Sequence, residues 1–430
     1  MSIADQMKAQ GWATVIAVVK APSAAAGAAA AATTFSLSAA PPRKSQRSAM
    51  SAVRDCFLSP GSRERESFSL AAASTPKKRG GKGSVRLYEN LGVMLGAVDR
   101  DGLKALQANQ AVAKVVAAPQ ISLIRPTRRT RLSAIGDAAL DSAGQFTWGL
   151  SRLGVPQLRG QGLTGKGVLV GHLDTGVDGK HPAFKSAIAH FAEFDADGEQ
   201  VPNAAPTDSD DHGTHTAGTI LGRPQSGVEF GVASEADLAS AMVIEGGDVI
   251  ARILGGMDWA VGLNVRILNM SLGLRGFVDD FLPLTLILRQ RGILPVFAVG
   301  NEGRFTSRSP GNYPEALSVG ASNVGDEVAG FSSSQRFTRS RDPLVPDLVA
   351  PGVDVASAVP GGGFAALNGS SMATPHIAGL AALLMQAKPG ATVQQVEQAI
   401  FDSCRRPATM RSSRANRGVP DGPRALSLLG

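Results

Sequence analysis

The 430-residue sequence predicts an α/β protein: a mostly parallel central sheet with helices on both faces, preceded by a small α+β unit. Three observations predict it. From about Gln145 onward, continuous apolar runs of strand length alternate with helix-period segments. Strands apolar along their whole length are those buried on both faces of a parallel sheet. Upstream the order is instead β-α-β-β-α-β, that of a ferredoxin-like unit. Finally, 43% hydrophobic and 18% charged residues make a globular composition, long enough for two or three domains. No apolar run approaches the ~20 residues of a bilayer span. Two distant cysteines, Cys56 and Cys404, exclude a disulfide framework or a cysteine-based zinc site.

Residues 1–10 are polar, and Gly11–Lys20 is an apolar, β-rich run that reads as a strand. A secretory signal peptide is the competing reading; Asp5 in its would-be basic region and Lys20 in its apolar stretch stand against it. Residues 21–44 are Ala/Ser/Pro-rich and predict a loose loop. Residues 46–58 predict a short helix, and residues 59–83, rich in Ser, Gly and Lys, a flexible stretch. Val85–Glu89 and Gly92–Val98 are short strands. Asp99–Gln110 opens with acidic residues and continues as an amphipathic helix. Val115–Ile124 reads as the last strand of this unit. Arg125–Arg131 has no apolar period and predicts an exposed linker. The expected division is 1–124 for the small domain, with a low-complexity insertion at about 21–83, 125–142 for a basic linker, and 143–430 for the large domain. Within the latter, strands are expected at Val168–Leu173, Ala236–Ile244, Val265–Met270, Ile293–Val299 and Ala316–Ala321. Helices are expected at Val249–Val261, Phe281–Arg291 and from Ser371.

Charge is divided along the same line. Residues 1–142 carry net +11 and residues 143–430 net −4, which make the overall +7. The basic segment has no stripe interleaved with aromatics, which argues against a nucleic-acid partner. It suits a basic segment attracted to an acidic domain of the same chain.

Three segments bear chemistry. Asp174 ends an apolar strand and precedes Gly176, at the sheet edge where α/β proteins bind ligands. His212 stands where an acidic loop gives way to a helical pattern. Ser371 follows a glycine-led turn that opens a helix. Each alone has an ordinary structural explanation, as a cap or a turn residue. Together they run Asp…His…Ser at strand–helix junctions, one of the known chain orders of a catalytic triad. A serine hydroxyl needs an imidazole to take its proton, and the imidazole needs a carboxylate to hold its tautomer. Ser371 is thus the candidate nucleophile, His212 the base and then acid, and Asp174 the orienting carboxylate. Asn301, after an apolar strand, is the candidate side-chain donor to an oxyanion, with the Ser371 backbone N–H as a second. His215 reads as structural; with no Glu between it and His212 and a spacing of three, a zinc pair is disfavoured.

The strings DTGVD (174–178), HGTHTAG (212–218), NMSLG (269–273), AVGNEG (298–303), PDLVAPGVDV (346–355) and GSSMATPHIAG (369–379) resemble the subtilisin-like serine peptidase family. The resemblance implies a three-layer subtilisin-like fold and a serine endopeptidase acting on polypeptide substrates. It also implies that the ferredoxin-like unit is a propeptide, an intramolecular inhibitor, with cleavage within 125–142. Ser271, Leu272 and Gly273 would form one wall of the first specificity pocket and an edge for extended peptide; Ala298, Val299 and Gly300 would form the other wall. Arg304 and Arg308 would either favour an acidic side chain there or be solvated surface residues. Ser370 stands where the family usually has Thr. Ala183 and Phe184 follow His181-Pro182, where many secreted members carry a calcium-binding Asp. No cofactor is expected for the chemistry, and structural calcium is unsupported. Asp195–Gly198 reads as a hairpin turn. The rival functions are a non-catalytic inhibitor or binding protein with a permanently docked propeptide, and a Ser-dependent exopeptidase or esterase. Compartment stays open between cytoplasmic and secreted.

Overall fold

A computed structural model of the chain describes residues 1–20, 43–58, 85–244 and 246–430. The low-complexity stretches expected at 21–44 and 59–83 lie almost wholly outside the described residues. The chain divides into two compact units, Met1–Pro119 and Gln120–Gly430. The division falls five residues before the Ile124 expected from the sequence.

In the small unit four antiparallel strands stand in the order Arg86–Tyr88, Val93–Val98, Ala13–Val19, Val112–Ala117. The strand expected at Gly11–Lys20 is therefore central, paired on both edges, and its apolar run is buried. Met94, Val98, Leu106, Val53 and Phe57 pack with it into one core. The last strand runs Val112–Ala117 and ends earlier than expected. The polar residues 1–10 show no apolar period, yet Ile3–Gln10 is a helix. A capping box between Ser2 and Asp5 opens it and Gly11, left-handed, closes it. The helix expected at 46–58 is Arg43–Ser51 followed by a single turn at Arg54–Cys56.

The large unit is the predicted three-layer α/β structure. Seven strands, all paired in parallel, stand in the order Leu348–Pro351, Leu317–Ser322, Leu294–Ala298, Ile267–Met270, Leu169–Asp174, Asp237–Met242, Ile188–Glu193. Alternation along one strand places helices on both faces. Leu173 packs at Gly256 of the helix Val249–Gly262, where a Cβ would come within 3.4 Å of its methyl group. His172 and Asp174 point the other way, to the helix His212–Leu221. The helix Ser370–Ala387 is buried over most of its length and contributes Leu380, Leu383 and Leu384 to the main core. Each fully buried Leu or Val contributes roughly 1.5–3 kcal/mol, so the sheet can carry a few buried polar groups at its rim. Among the described residues no helix is long and apolar enough to cross a membrane.

Candidate active site

Asp174 is the last residue of its strand and is fully buried. The chain then turns at Gly176 (φ 114°), and the first turn of the His212 helix is laid directly on it. A Cβ at Gly213 would lie 2.1 Å from the Gly176 carbonyl oxygen, so only glycine permits the approach. The Thr175 hydroxyl accepts from Gly213 N–H at 2.9 Å. Asp208 ties the same turn together, accepting from the Thr175 hydroxyl and from Thr214.

This packing brings His212 Nδ1 to 2.6 Å from Asp174 Oδ1. Burial opposes charge on both groups, but each stabilises the charged form of the other. The Asp174 carboxyl is therefore held below its usual range and the His212 imidazole raised above its usual one. His212 Nε2 is buried with no hydrogen-bond partner among the described residues. His215 is spoken for: its Nε2 lies 2.9 Å from Val355 O and 3.1 Å from Ala365 O. Burial lowers its pKa to about 3.

Ser371 lies in the first turn of its helix and is fully buried. Its hydroxyl donates to the carbonyl oxygen of Ile124 at 2.6 Å rather than to His212. Asn301 is set by two bonds to its side-chain oxygen, from Ser370 N–H at 2.8 Å and the Ser370 hydroxyl at 2.9 Å. That turns Nδ2 outward, where it donates to Arg125 O at 2.9 Å. Ser370, the departure from the family's usual Thr, keeps the hydroxyl that does this.

The expected linker is thus no free linker. Leu123 and Ser122 pair antiparallel with Leu272 and Gly273, and Ile124 N–H donates to Ser271 O at 3.0 Å. Beyond Ile124, Arg128–Leu132 pairs antiparallel with Gly363–Asn368. The side chains of 128–131 are exposed, as their polarity predicts; the backbone of a β-strand pairs regardless of side-chain period. Residues 122–124 and 128–132 are therefore both held as added strands, with Ser371 under Ile124.

Of the expected pocket residues, Ser271, Leu272 and Gly273 form the edge that holds this segment. Ala298 ends its strand, Val299 accepts from Arg308 N–H, and Gly300 (φ 115°) makes the turn that presents Asn301. Arg304 is exposed, but Arg308 is buried. Its guanidinium donates to Glu302 (2.9 Å from Nε), to Gly273 O and to the Ser122 hydroxyl, both at 3.1 Å. Burial opposes ionisation of Glu302, and Arg308 overcomes it, holding the carboxyl below its usual range. Arg308 thus offers no uncompensated positive charge to an acidic substrate side chain. The Asp195 turn is as read, with its carboxylate accepting from Asp197 and Glu199 N–H.

Two features were not singled out from the sequence. Asp210 and Asp211, just before His212, pair with Arg125 at 3.0 Å and Arg129 at 2.7 Å. A cavity of about 260 Å³ lies there, with Asp210, Asp211 and His212 on its wall. The opposed charges of DSDD and RPTRRTR were the available signal. The other feature is His172, fully buried on the strand that ends at Asp174.

A carboxylate–imidazole pair and a serine at a helix start, at the carboxyl edge of a parallel sheet, are the parts from which a serine hydrolase of the Asp-His-Ser type is built. The chain matches the Subtilase family over residues 165–420 and belongs to it, the family of the subtilisin-like serine peptidases. It is 36% identical over 273 residues to subtilisin E of Bacillus subtilis, covering 60% of this chain and 66% of that protein. It is 38% identical over 250 residues to subtilisin BL of Lederbergia lenta, covering 57% and 87%. The match to subtilisin of Bacillus pumilus is 36% over 269 residues, covering 59% and 90%. With the first of these relatives, the match spans just under two thirds of the relative's length.

Proposed function

We propose that the chain is an endopeptidase that cuts internal peptide bonds through an acyl-enzyme on Ser371, and that it is made self-inhibited. In this reading residues 1–124 are the propeptide and the first bond cut is Ile124–Arg125. The observation that carries it is the seating of its own residues 122–124 on Ser271–Gly273, with the Ile124 carbonyl oxygen 2.6 Å from the Ser371 hydroxyl.

The chemistry follows from the groups present. His212 Nε2 takes the Ser371 proton as Oγ attacks the carbonyl carbon, and Asp174 stabilises the imidazolium. Asn301 Nδ2 moves from the Arg125 oxygen to the oxyanion forming on Ile124. His212 then gives the proton to the Arg125 nitrogen, and water hydrolyses the acyl-enzyme. Other polypeptides would bind the same edge by strand addition, mostly through backbone hydrogen bonds, so side-chain preference is loose.

A fluorophosphonate probe should label Ser371 alone, and the active protein should cut a long peptide at internal bonds. Mass spectrometry placing the label elsewhere overturns the nucleophile. Release of terminal residues only would favour an exopeptidase. A protein that takes no label and cuts nothing, even after brief limited proteolysis, would favour the permanently docked inhibitor. Asn301→Ala should lower kcat by about 10²–10³-fold with little change in KM, because its donor acts on charge that develops only in the transition state. A loss confined to KM would remove it from that role.

A further inference from the structure

Leu169–Asp174 carries a second buried imidazole that the reaction above does not use. His172 lies two residues before Asp174, so both side chains leave the strand on one face, and both are fully buried. His172 Nδ1 is 3.0 Å from Ser240 Oγ on the neighbouring strand, and Nε2 is 2.8 Å from Thr216 Oγ1 on the His212 helix. Thr216 Oγ1 is 3.4 Å from Asp174 Oδ2, the carboxylate oxygen that does not face His212. His172 Nε2 itself is 3.9 Å from that oxygen. Ser240, His172 and Thr216 thus form a polar line that ends on the back of Asp174. The strand neighbours Val170, Leu238, Ala239 and Ala241 are apolar and fully buried, so the line crosses an otherwise apolar layer.

The protons of this line have one direction that leaves Asp174 Oδ2 with a donor. Burial keeps His172 neutral, with a pKa lowered to about 4 against the pull of Asp174. The Thr216 hydroxyl has one proton, and its other neighbours, Asp174 Oδ2 and the carbonyls of His212 and Gly213, can only accept. With that proton on Asp174 Oδ2, its lone pairs are left for His172 Nε2–H, and the Ser240 hydroxyl donates to Nδ1. The His172 N–H dipole then points toward Asp174.

We propose that His172, acting through Thr216, is a positioning residue that holds the outer oxygen of Asp174 and so sets the basicity of His212. The proposal rests on the peptidase reading above. A donor on Oδ2 draws negative charge from Oδ1, so Asp174 stabilises the His212 imidazolium less than it would alone. The charged and titratable groups that face His212 are Asp174, Asp208, Asp210 and Asp211, with His172 and His215 behind them. Arg125 and Arg129 pair with the two outer aspartates. Of these, the line ending in Thr216 acts on the side of Asp174 turned away from His212.

The test compares wild type with His172→Val, Thr216→Val and Thr216→Ser, reading the pH profile of kcat/KM and the melting temperature. Both valine variants should move the acid limb upward by roughly half a unit to one unit, with KM unchanged. Thr216→Ser should restore the limb, because it keeps the hydroxyl. The double valine variant should shift no further than the larger single one. The His212 titration, followed by NMR in the Ser371→Ala chain with and without His172→Val, reads the same shift without turnover. An unmoved titration in folded variants, or a serine variant that behaves like the valine one, overturns the proposal. A wild type that never cleaves would instead count against the peptidase reading, and the NMR arm would still decide this one.

Discussion

Ser371→Ala should leave the chain intact between Ile124 and Arg125 and lower turnover of any peptide by about a millionfold, the scale of loss when a triad is deprived of its serine. No other hydroxyl can replace it. The Ser371 Oγ is the group in contact with the Ile124 carbonyl, and Ser370 is committed to Asn301. The substitution removes one oxygen from a fully buried site and leaves the helix start and the seating of residues 122–124 in place. The loss is therefore expected in kcat. N-terminal sequencing of the purified wild type should give a chain beginning at Arg125, and of the variant the unprocessed start. If the variant matures at the wild-type rate in isolation, self-cleavage at this bond is wrong.

The second large effect belongs to Asp174→Asn, with kcat lower by about 10⁴-fold. Asp174 Oδ1 can only accept at 2.6 Å from Nδ1, so it holds the proton of neutral His212 there and leaves Nε2 open. An asparagine amide can offer an N–H to Nδ1 instead. The imidazole then carries its proton on Nε2 and cannot take one from Ser371. The pH profile adds a sign. In the wild type Asp174 raises the His212 pKa above its ordinary 6.5 despite burial. Activity should therefore be lost as pH falls through a value above 6.5, since the protonated imidazole is no base. Without the carboxylate charge the raising influence is gone, and the residual activity should lose its acid limb at lower pH. A residual limb unmoved, or a loss of only a few fold, would mean that the 2.6 Å contact does not govern the base.

Asp174 and Ser371 both stand in strings recognisable in the sequence. Asp174, His212, Ser371 and Asn301 were legible because each sits at a junction where strand or helix periodicity stops and glycine begins. The sheet was legible because its strands are apolar on both faces. The helix Ile3–Gln10 was missed because its support is a cap and a single buried residue, Met7, with no apolar stripe. The path of residues 122–132 was missed for a different reason. A segment that binds as an added strand uses backbone groups common to every residue, so its side chains carry no period that announces the pairing.

His172 and Arg308 mark the same boundary. A lone histidine in an apolar strand and an arginine in a loop look alike in sequence whether they are solvated, structural or tied to a site. Only folding places Thr216 between His172 and Asp174, or Glu302 against Arg308. The fold class and the family were legible in the sequence, and four candidate side chains could be named from it, because periodicity and local turn chemistry are short-range properties. The tertiary structure alone decided which carbonyl rests on Ser371, which charges are neutralised and what stands behind Asp174. Those depend on contacts between segments as much as 247 residues apart.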